Sequence, residues 1–303
     1  MGRRKIKVLI VGLPLFSKKL ADNLSKTDPR GKYKSLNTYY SLKDKISSLF
    51  YIYSYDILYS INGTLAKSRL VNTALKKNKR VIFHWVGSDV LQAKESIKKN
   101  QHIQRYIDEV EHLCEVEWIQ KELKEIGINA RIINFAGYNT KEKPKPFNEE
   151  FNILTYIPEN REDFYGIETI KNLASACPEV KINVVGSNHN YPKLKNIDSH
   201  GWVDDISKHI DQSVVCLRCT EHDGLSNFVL ESMSKGRYVL YNNNMNGIDY
   251  FTTENELIDK VKKYHTLFNE NKLGINKEAY NVILNDFSED KIFNDLIDYF
   301  NLK

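Results

Sequence analysis

The chain alternates short, β-branched apolar runs with longer stretches whose apolar residues recur at helical spacing. Residues 6–11 (IKVLIV) are nearly all apolar, as a strand buried on both faces requires. The run stops at Gly12-Leu13-Pro14, and residues 16–24 then follow a helical period. Further strands are predicted at 34–39, 56–61, 80–85 and 131–135. Helices are predicted at 65–77 and 118–126, the second closed by Gly127 as a left-handed cap.

This pattern breaks at 140–150 (TKEKPKPFNEE), where two prolines and several charges read as an exposed linker. The alternation then restarts, with strands at 152–157, 181–185, 213–218 and 237–241 and helices at 166–176, 206–211 and 227–235. The remainder reads as helical, including 254–269 and 291–300. Strands alternating with helices build parallel sheets. The expected class is therefore α/β: two Rossmann-like parallel-sheet domains facing each other across a cleft, with the first domain at 1–145 and the second at 146–286. Open parallel sheets bind ligands beyond the carboxyl ends of their strands. Attention falls on five segments after strands: 12–16, 84–89, 157–165, 186–188 and 220–226.

Composition narrows the classes. A net charge of +5 over 303 residues, with 41% hydrophobic and 27% charged residues, is a globular balance and too weakly basic to imply nucleic acid. No apolar run approaches the roughly 20 residues of a membrane-spanning helix. The basic start, Arg3 to Lys7, runs straight into a strand without a small-residue cleavage site, so a signal peptide is not expected. Basic clusters, also at Lys18-Lys19 and Lys76 to Arg80, concentrate in the first third; they read as solvated helix faces or as contact with an anionic surface. Four cysteines form no disulfide framework. Cys216 and Cys219 end an apolar strand, where odd spacing separates the sulfurs, so both read as core residues in a reducing, cytoplasmic compartment. Asn62-Gly63-Thr64 is then a chance glycosylation sequon.

Chemistry concentrates in residues 218–240 (RCTEHDGLSNFVLESMSKGRYVL). Asp223 begins a glycine-containing loop, a helix starts near Ser226, and Glu231 lies eight residues beyond Asp223. Helix-start N–H groups favour a phosphate, helped by the helix dipole. Ser226 also suits the cap. A carboxylate at Glu231 accepts two vicinal hydroxyl hydrogen bonds, as a ribose offers.

This segment resembles the E-x7-E motif of the large retaining glycosyltransferase family with the two-Rossmann GT-B fold (family 4-like). The resemblance implies that Asp223 approaches the donor sugar, that Gly224, Leu225 and Ser226 hold the diphosphate, and that Glu231 binds the nucleotide ribose. Asp223 stands where the family carries Glu, one methylene longer. His84-Trp85-Val86-Gly87-Ser88-Asp89 resembles the family's donor-facing histidine loop, which would make His84 catalytic beside Asp223; Asp89 would orient the loop, bind acceptor or cap the next helix. Gly12 to Phe16 resembles the loop beside the reacting sugar, and lacks the G-x-G-x-x-G of a dinucleotide site. Residues 158–166 (PENREDFYG) occupy the place of the phosphate-binding Arg/Lys loop. Arg161 would make a bidentate phosphate contact, while Tyr165 stands where a Lys commonly precedes the glycine. Gly201-Trp202-Val203 resembles the loop against the nucleobase, with Trp202 itself read as a packing residue. The family also returns its C-terminus toward the first domain, here 287–303.

The implied activity is metal-independent transfer of a sugar, with retention of configuration, from a nucleoside-diphosphate donor to an acceptor hydroxyl. No cofactor is implied beyond that nucleotide-sugar co-substrate, and no metal-binding D-x-D is present; Asp204-Asp205 reads as a helix cap. Partners would be the donor, a glycan or lipid-linked acceptor, and a membrane surface touched peripherally by the basic first domain. The alternative is a non-catalytic nucleotide-sugar-binding module on the same fold.

Overall fold

The computed structural model describes residues 5–140, 142–188 and 194–302. The basic start at Arg3-Arg4 lies outside the described residues. The chain divides into two compact units. One runs to Gly137 and resumes at Glu289; the other is Tyr138–Ser288.

The first unit carries a six-stranded parallel sheet: β1 (Lys7–Gly12), β2 (Lys32–Ser35), β3 (Ile57–Ile61), β4 (Arg80–Trp85), β5 (Glu111–Cys114) and β6 (Ala130–Ile132), in the order β2-β1-β3-β4-β5-β6. Its helices are α1 (Pro14–Thr27), α2 (Leu42–Tyr51), α3 (Arg69–Lys76), α4 (Ser88–Lys98), α5 (Gln104–Glu109) and α6 (Glu117–Glu125). Leu9, Ile10, Leu58, Ile82 and Phe83 have no exposed surface, so the central strands are covered on both faces, as their unbroken apolar runs require. The sequence placed a strand at 34–39 where β2 lies at Lys32–Ser35, and missed β5, whose four residues are too few to show a period.

The second unit repeats the plan with β7 (Asn152–Tyr156), β8 (Lys181–Val185), β9 (Ile197–Ser199), β10 (Val215–Arg218), β11 (Tyr238–Tyr241) and β12 (Asp249–Tyr250), all parallel, in the order β12-β11-β10-β7-β8-β9. Helices α7 (Ile167–Ala176), α8 (Ser207–Gln212), α9 (Asn227–Ser234), α10 (Glu254–Asn269) and α11 (Lys277–Asp286) connect and cover it. The segment read as a linker is largely exposed, yet it is anchored to this unit. Fully buried Arg237 donates to the carbonyls of Ser213 (3.1 Å) and Lys145 (2.5 Å) and stacks on Phe147 at 4.9 Å. Lys141 lies outside the described residues.

Helix α12 (Glu289–Phe300) returns to the first unit and buries Ile292, Phe293, Leu296, Ile297 and Phe300. Arg80 locks its end, donating to the carbonyls of Phe300 (2.8 Å) and Leu302 (2.9 Å) while its Nε and Nη2 reach Glu111, both at 2.8 Å. A cation there suits the negative end of the helix dipole.

The chain path reverses direction between β1 and β3 in one sheet, and between β7 and β10 in the other. These switch points are where an open α/β sheet leaves a crevice beyond its strand ends. They direct attention to Gly12 and Asn62 in the first unit, and to the loops 157–166 and 219–226 in the second.

Candidate functional site

In the second unit, β10 closes on a charged residue. Arg218 is 6% exposed, and its Nε and Nη2 donate to Asp223 Oδ2 at 2.8 and 2.7 Å. Tyr241, at the end of neighbouring β11, donates its hydroxyl to the same oxygen at 3.1 Å. Burial opposes the charge of Arg218, and the adjoining Asp223 outweighs it, raising the guanidinium further. The Tyr241 hydroxyl is pushed up by burial and then by Asp223, so it stays protonated and donates.

The guanidinium of Arg218 lies 4.5 Å from the centre of the Tyr165 ring. Arg161 approaches from the preceding loop, 4.4 Å from the Phe164 ring and 5.3 Å from that of Tyr165. Tyr165 thus contacts two guanidiniums, each held by a cation–π contact. The sequence placed a missing positive charge at Tyr165; Arg218, at the end of β10, brings one over its ring. Gly166 permits this approach. It is left-handed (φ +71°), and a Cβ there would stand 2.8 Å from Cys219 Sγ. The backbone N–H of Glu221 donates to the Phe164 carbonyl (3.0 Å), and Asn242 clamps Thr220 through two hydrogen bonds (2.7 and 3.3 Å), so the loops after β7, β10 and β11 are tied together.

Gly224, Leu225 and Ser226 are buried and lead into α9, with Ser226 as the cap: its hydroxyl accepts from the Val229 N–H at 3.5 Å. Glu231 lies half-buried in the second turn. The arrangement therefore gathers Arg161, Tyr165, Asp223, Gly224, Leu225 and Ser226 at one sheet end, with Glu231 farther along the helix. The functional-site residues that sequence reasoning missed are Arg218 and Tyr241. The one signal for the first was a charged residue closing an apolar strand five positions before Asp223.

In the first unit, Gly12, Ile61 and His84 sit abreast on β1, β3 and β4. Gly12 has φ +104°, and a Cβ there would lie 1.7 Å from the Ile61 carbonyl oxygen, so only glycine closes this strand end. The resemblance has His84 facing a donor sugar; in the structure the ring is enclosed. The side chain has no exposed surface, Nδ1 is hydrogen-bonded to the Tyr59 hydroxyl at 2.5 Å, and the ring packs edge-on against Phe135 at 4.9 Å. Burial lowers its pKa to about 3, which keeps it neutral. An even position on an apolar strand turned it into the core rather than toward the strand end. Asp89 is also buried, and its carboxylate accepts from the N–H groups of Gly63 (2.7 Å), Gly87 (2.9 Å), Val86 and Val90 (both 3.1 Å). It ties the loop after β3 to the loop after β4, the orienting role among those expected. Burial raises its pKa to about 6 despite those donors.

A cavity of about 570 Å³ opens at the switch point of this sheet. Gly12, Asn62 and Gly63 form its floor, α2 and α3 its walls, and its lining includes Tyr39, Lys45 and Arg69 but no acidic residue. Trp202, expected to pack, is instead 73% exposed with its indole N–H 3.3 Å from Asp204 Oδ1. Asp205 accepts from the Ser207 N–H at 2.9 Å, but the cap position of α8 is Ile206, so neither aspartate takes the expected capping place. The four cysteines are free, with Cys114, Cys177 and Cys216 buried. Among the described residues no group of three or more His, Cys, Asp or Glu is placed to hold a metal ion, and no helix is long and apolar enough to cross a membrane.

No protein-family model and no curated protein sequence matches the chain. Solved structures do. HepE from Anabaena, crystallised with UDP and glucose, superposes with a TM-score of 0.70 at 11% identity, covering 97% of this chain and 99% of its own. Sucrose-phosphate synthase from Thermosynechococcus elongatus gives 0.70 at 11%, covering 98% of each. TarM from S. aureus, crystallised with UDP and α-GlcNAc-glycerol, gives 0.63 at 12%, over 86% of this chain; the match spans 59% of TarM. These neighbours are GT-B glycosyltransferases, and at such identities the likeness shows the fold: two Rossmann-like parallel-sheet units.

Proposed function

We propose that the protein is a retaining, metal-independent glycosyltransferase that moves a sugar from a nucleoside diphosphate to an acceptor hydroxyl. The observation carrying this reading is the convergence at the β7/β10 switch point: two arginines, the Asp223 loop and the start of α9 at one sheet end. In this reading the amides of Gly224 to Ser226 and the guanidinium of Arg161 receive the diphosphate. Glu231 takes the ribose hydroxyls and Asp223 the sugar. As the C1–oxygen bond to the diphosphate breaks, helix-end N–H groups and arginine stabilise the departing charge, the largest catalytic effect such a site offers. The acceptor oxygen bonds to C1 on the same face, and its proton passes to a phosphate oxygen. The acceptor enters through the first unit, where Gly12 forms part of the cavity floor and His84 positions the strand ends rather than touching the sugar. The acceptor is a glycan or a lipid-linked molecule at a membrane surface, within the cytoplasm.

The fold's neighbours support this reading, since HepE and TarM were each crystallised with UDP and a sugar compound. Release of nucleoside diphosphate from a nucleotide sugar tests it. Slow donor hydrolysis is expected, abolished by Asp223→Ala while nucleotide binding persists. Tight binding without turnover across varied acceptors would instead favour a non-catalytic binding module.

A further inference from the structure

Helix α2 is built inside out. An amphipathic surface helix turns its apolar stripe to the core. In α2 the one buried residue is Ser48, whereas Leu42, Ile46 and Phe50, spaced i, i+4 and i+8, are 72%, 51% and 73% exposed. Tyr40 before the helix is 84% exposed and Tyr53 after it 56%. Scattered exposed apolar residues are ordinary; a continuous stripe on one helix marks a contact surface.

The charge around this stripe identifies the partner. Lys43 and Lys45 are exposed on the helix, and Lys34 sits 4.5 Å from the centre of the Tyr51 ring. From the basic cluster at 76–80, Lys77 lies 5.2 Å from the centre of the Tyr53 ring, and Lys79 donates to the Tyr53 carbonyl at 3.4 Å. The helix's single acid, Asp44, is turned back to accept from the Asn37 N–H at 2.9 Å. Apolar and tyrosine side chains ringed by lysines match the interfacial region of a bilayer with anionic lipids: rings and aliphatic groups enter the headgroup boundary, and ammonium groups meet phosphates.

We propose that α2 seats the first unit on an anionic lipid surface. Lys45 and Ile46 also line the switch-point cavity, so a lipid-borne head group at α2 would stand at that cavity's mouth. This deepens the acceptor side of the proposed transfer reaction, and rests on that reading only for what enters the cavity.

Co-sedimentation of the full chain with vesicles, without nucleotide, tests the contact. Binding to phosphatidylcholine–phosphatidylglycerol vesicles is expected to exceed that to phosphatidylcholine alone by about tenfold or more, and to weaken with salt. The variant Tyr40→Ser/Leu42→Ser/Phe50→Ser, altered outside the cavity lining, should lose this binding while keeping its melting temperature and its donor hydrolysis. Equal vesicle binding by the variant, or none by the native protein, overturns the proposal. So does concentration-dependent self-association that the variant abolishes, since a second copy would then cover the stripe. Loss of vesicle binding with nucleotide stabilisation intact leaves the transfer reading standing, and the converse result removes only that reading.

Discussion

Arg218 holds Asp223 through two donors on one carboxylate oxygen, Nε at 2.8 Å and Nη2 at 2.7 Å, at the root of the loop that leads into α9. Both side chains are largely removed from water, so each depends on the other. Removing one partner of such a pair leaves a charge uncompensated, at a cost of about 3 kcal/mol or more. Asp223→Ala should therefore lower the unfolding free energy of the second unit by that order. Arg218→Met together with Asp223→Leu should recover most of it. Denaturant unfolding of the two variants checks this; equal losses in both would show that the pair does not act as a unit.

Glycine positions separate strain from space. Gly12→Ala places a methyl against the Ile61 carbonyl at a positive φ and should cost about 3 kcal/mol or prevent folding. Gly127, with φ +82° and no atom within 4 Å of where a Cβ would stand, should tolerate Ala at about 1 kcal/mol. Thermal melts of the two variants should differ accordingly.

Stability should fall in mild acid. Burial holds His84 at about 3 and His112 at about 4, both below an unfolded value near 6.5. Above pH 6.5 both are neutral in either state. As pH falls below it the unfolded chain takes up protons that the folded one refuses, so stability is lost down to those folded values. Asp89 has the opposite sign: with its pKa raised to about 6, the folded state keeps a proton that the unfolded state releases between about pH 4 and 6, giving back part of the loss as pH drops. His84→Phe should flatten the acid slope of the unfolding free energy by about 1.4 kcal/mol per pH unit between pH 4 and 6. An unchanged slope would show that His84 is already charged when folded.

Much of the architecture was legible because buried parallel strands are nearly continuous apolar runs. β4, β8 and α10 fall where the pattern put them. Short elements without a period, β5 and β12, were not. The loop–helix grouping at 223–231 was visible as a local motif. Arg218 over Tyr165 was not, because that contact joins the end of β10 to the loop after β7, far apart in sequence. The surroundings of His84 were not legible either: a histidine at a strand end looks exposed, and only packing against Tyr59 and Phe135 encloses it. Trp202 looked like core by residue type, yet lies exposed in a loop whose local sequence carries no burial signal.

That exposure makes Trp202 a reporter. If a nucleobase stacks on it, nucleotide addition should quench tryptophan fluorescence, and Trp202→Phe should remove most of the response. Trp202→Ala should weaken nucleotide binding by about 1–3 kcal/mol, the range for base–aromatic stacking. Fluorescence titration decides it, and an undiminished response in Trp202→Phe would place the base elsewhere.

Nucleotide-sugar recognition by the second unit is the central claim, and a thermal-shift and calorimetric panel of UDP-, GDP-, ADP- and dTDP-sugars tests it most directly. At least one should raise the melting temperature. Glu231→Ala should weaken that binding by about 1.5–3 kcal/mol, the value of a charge-assisted hydrogen-bond pair to the ribose. Stabilisation by none of the four classes would contradict both the transferase reading and the binding-module alternative.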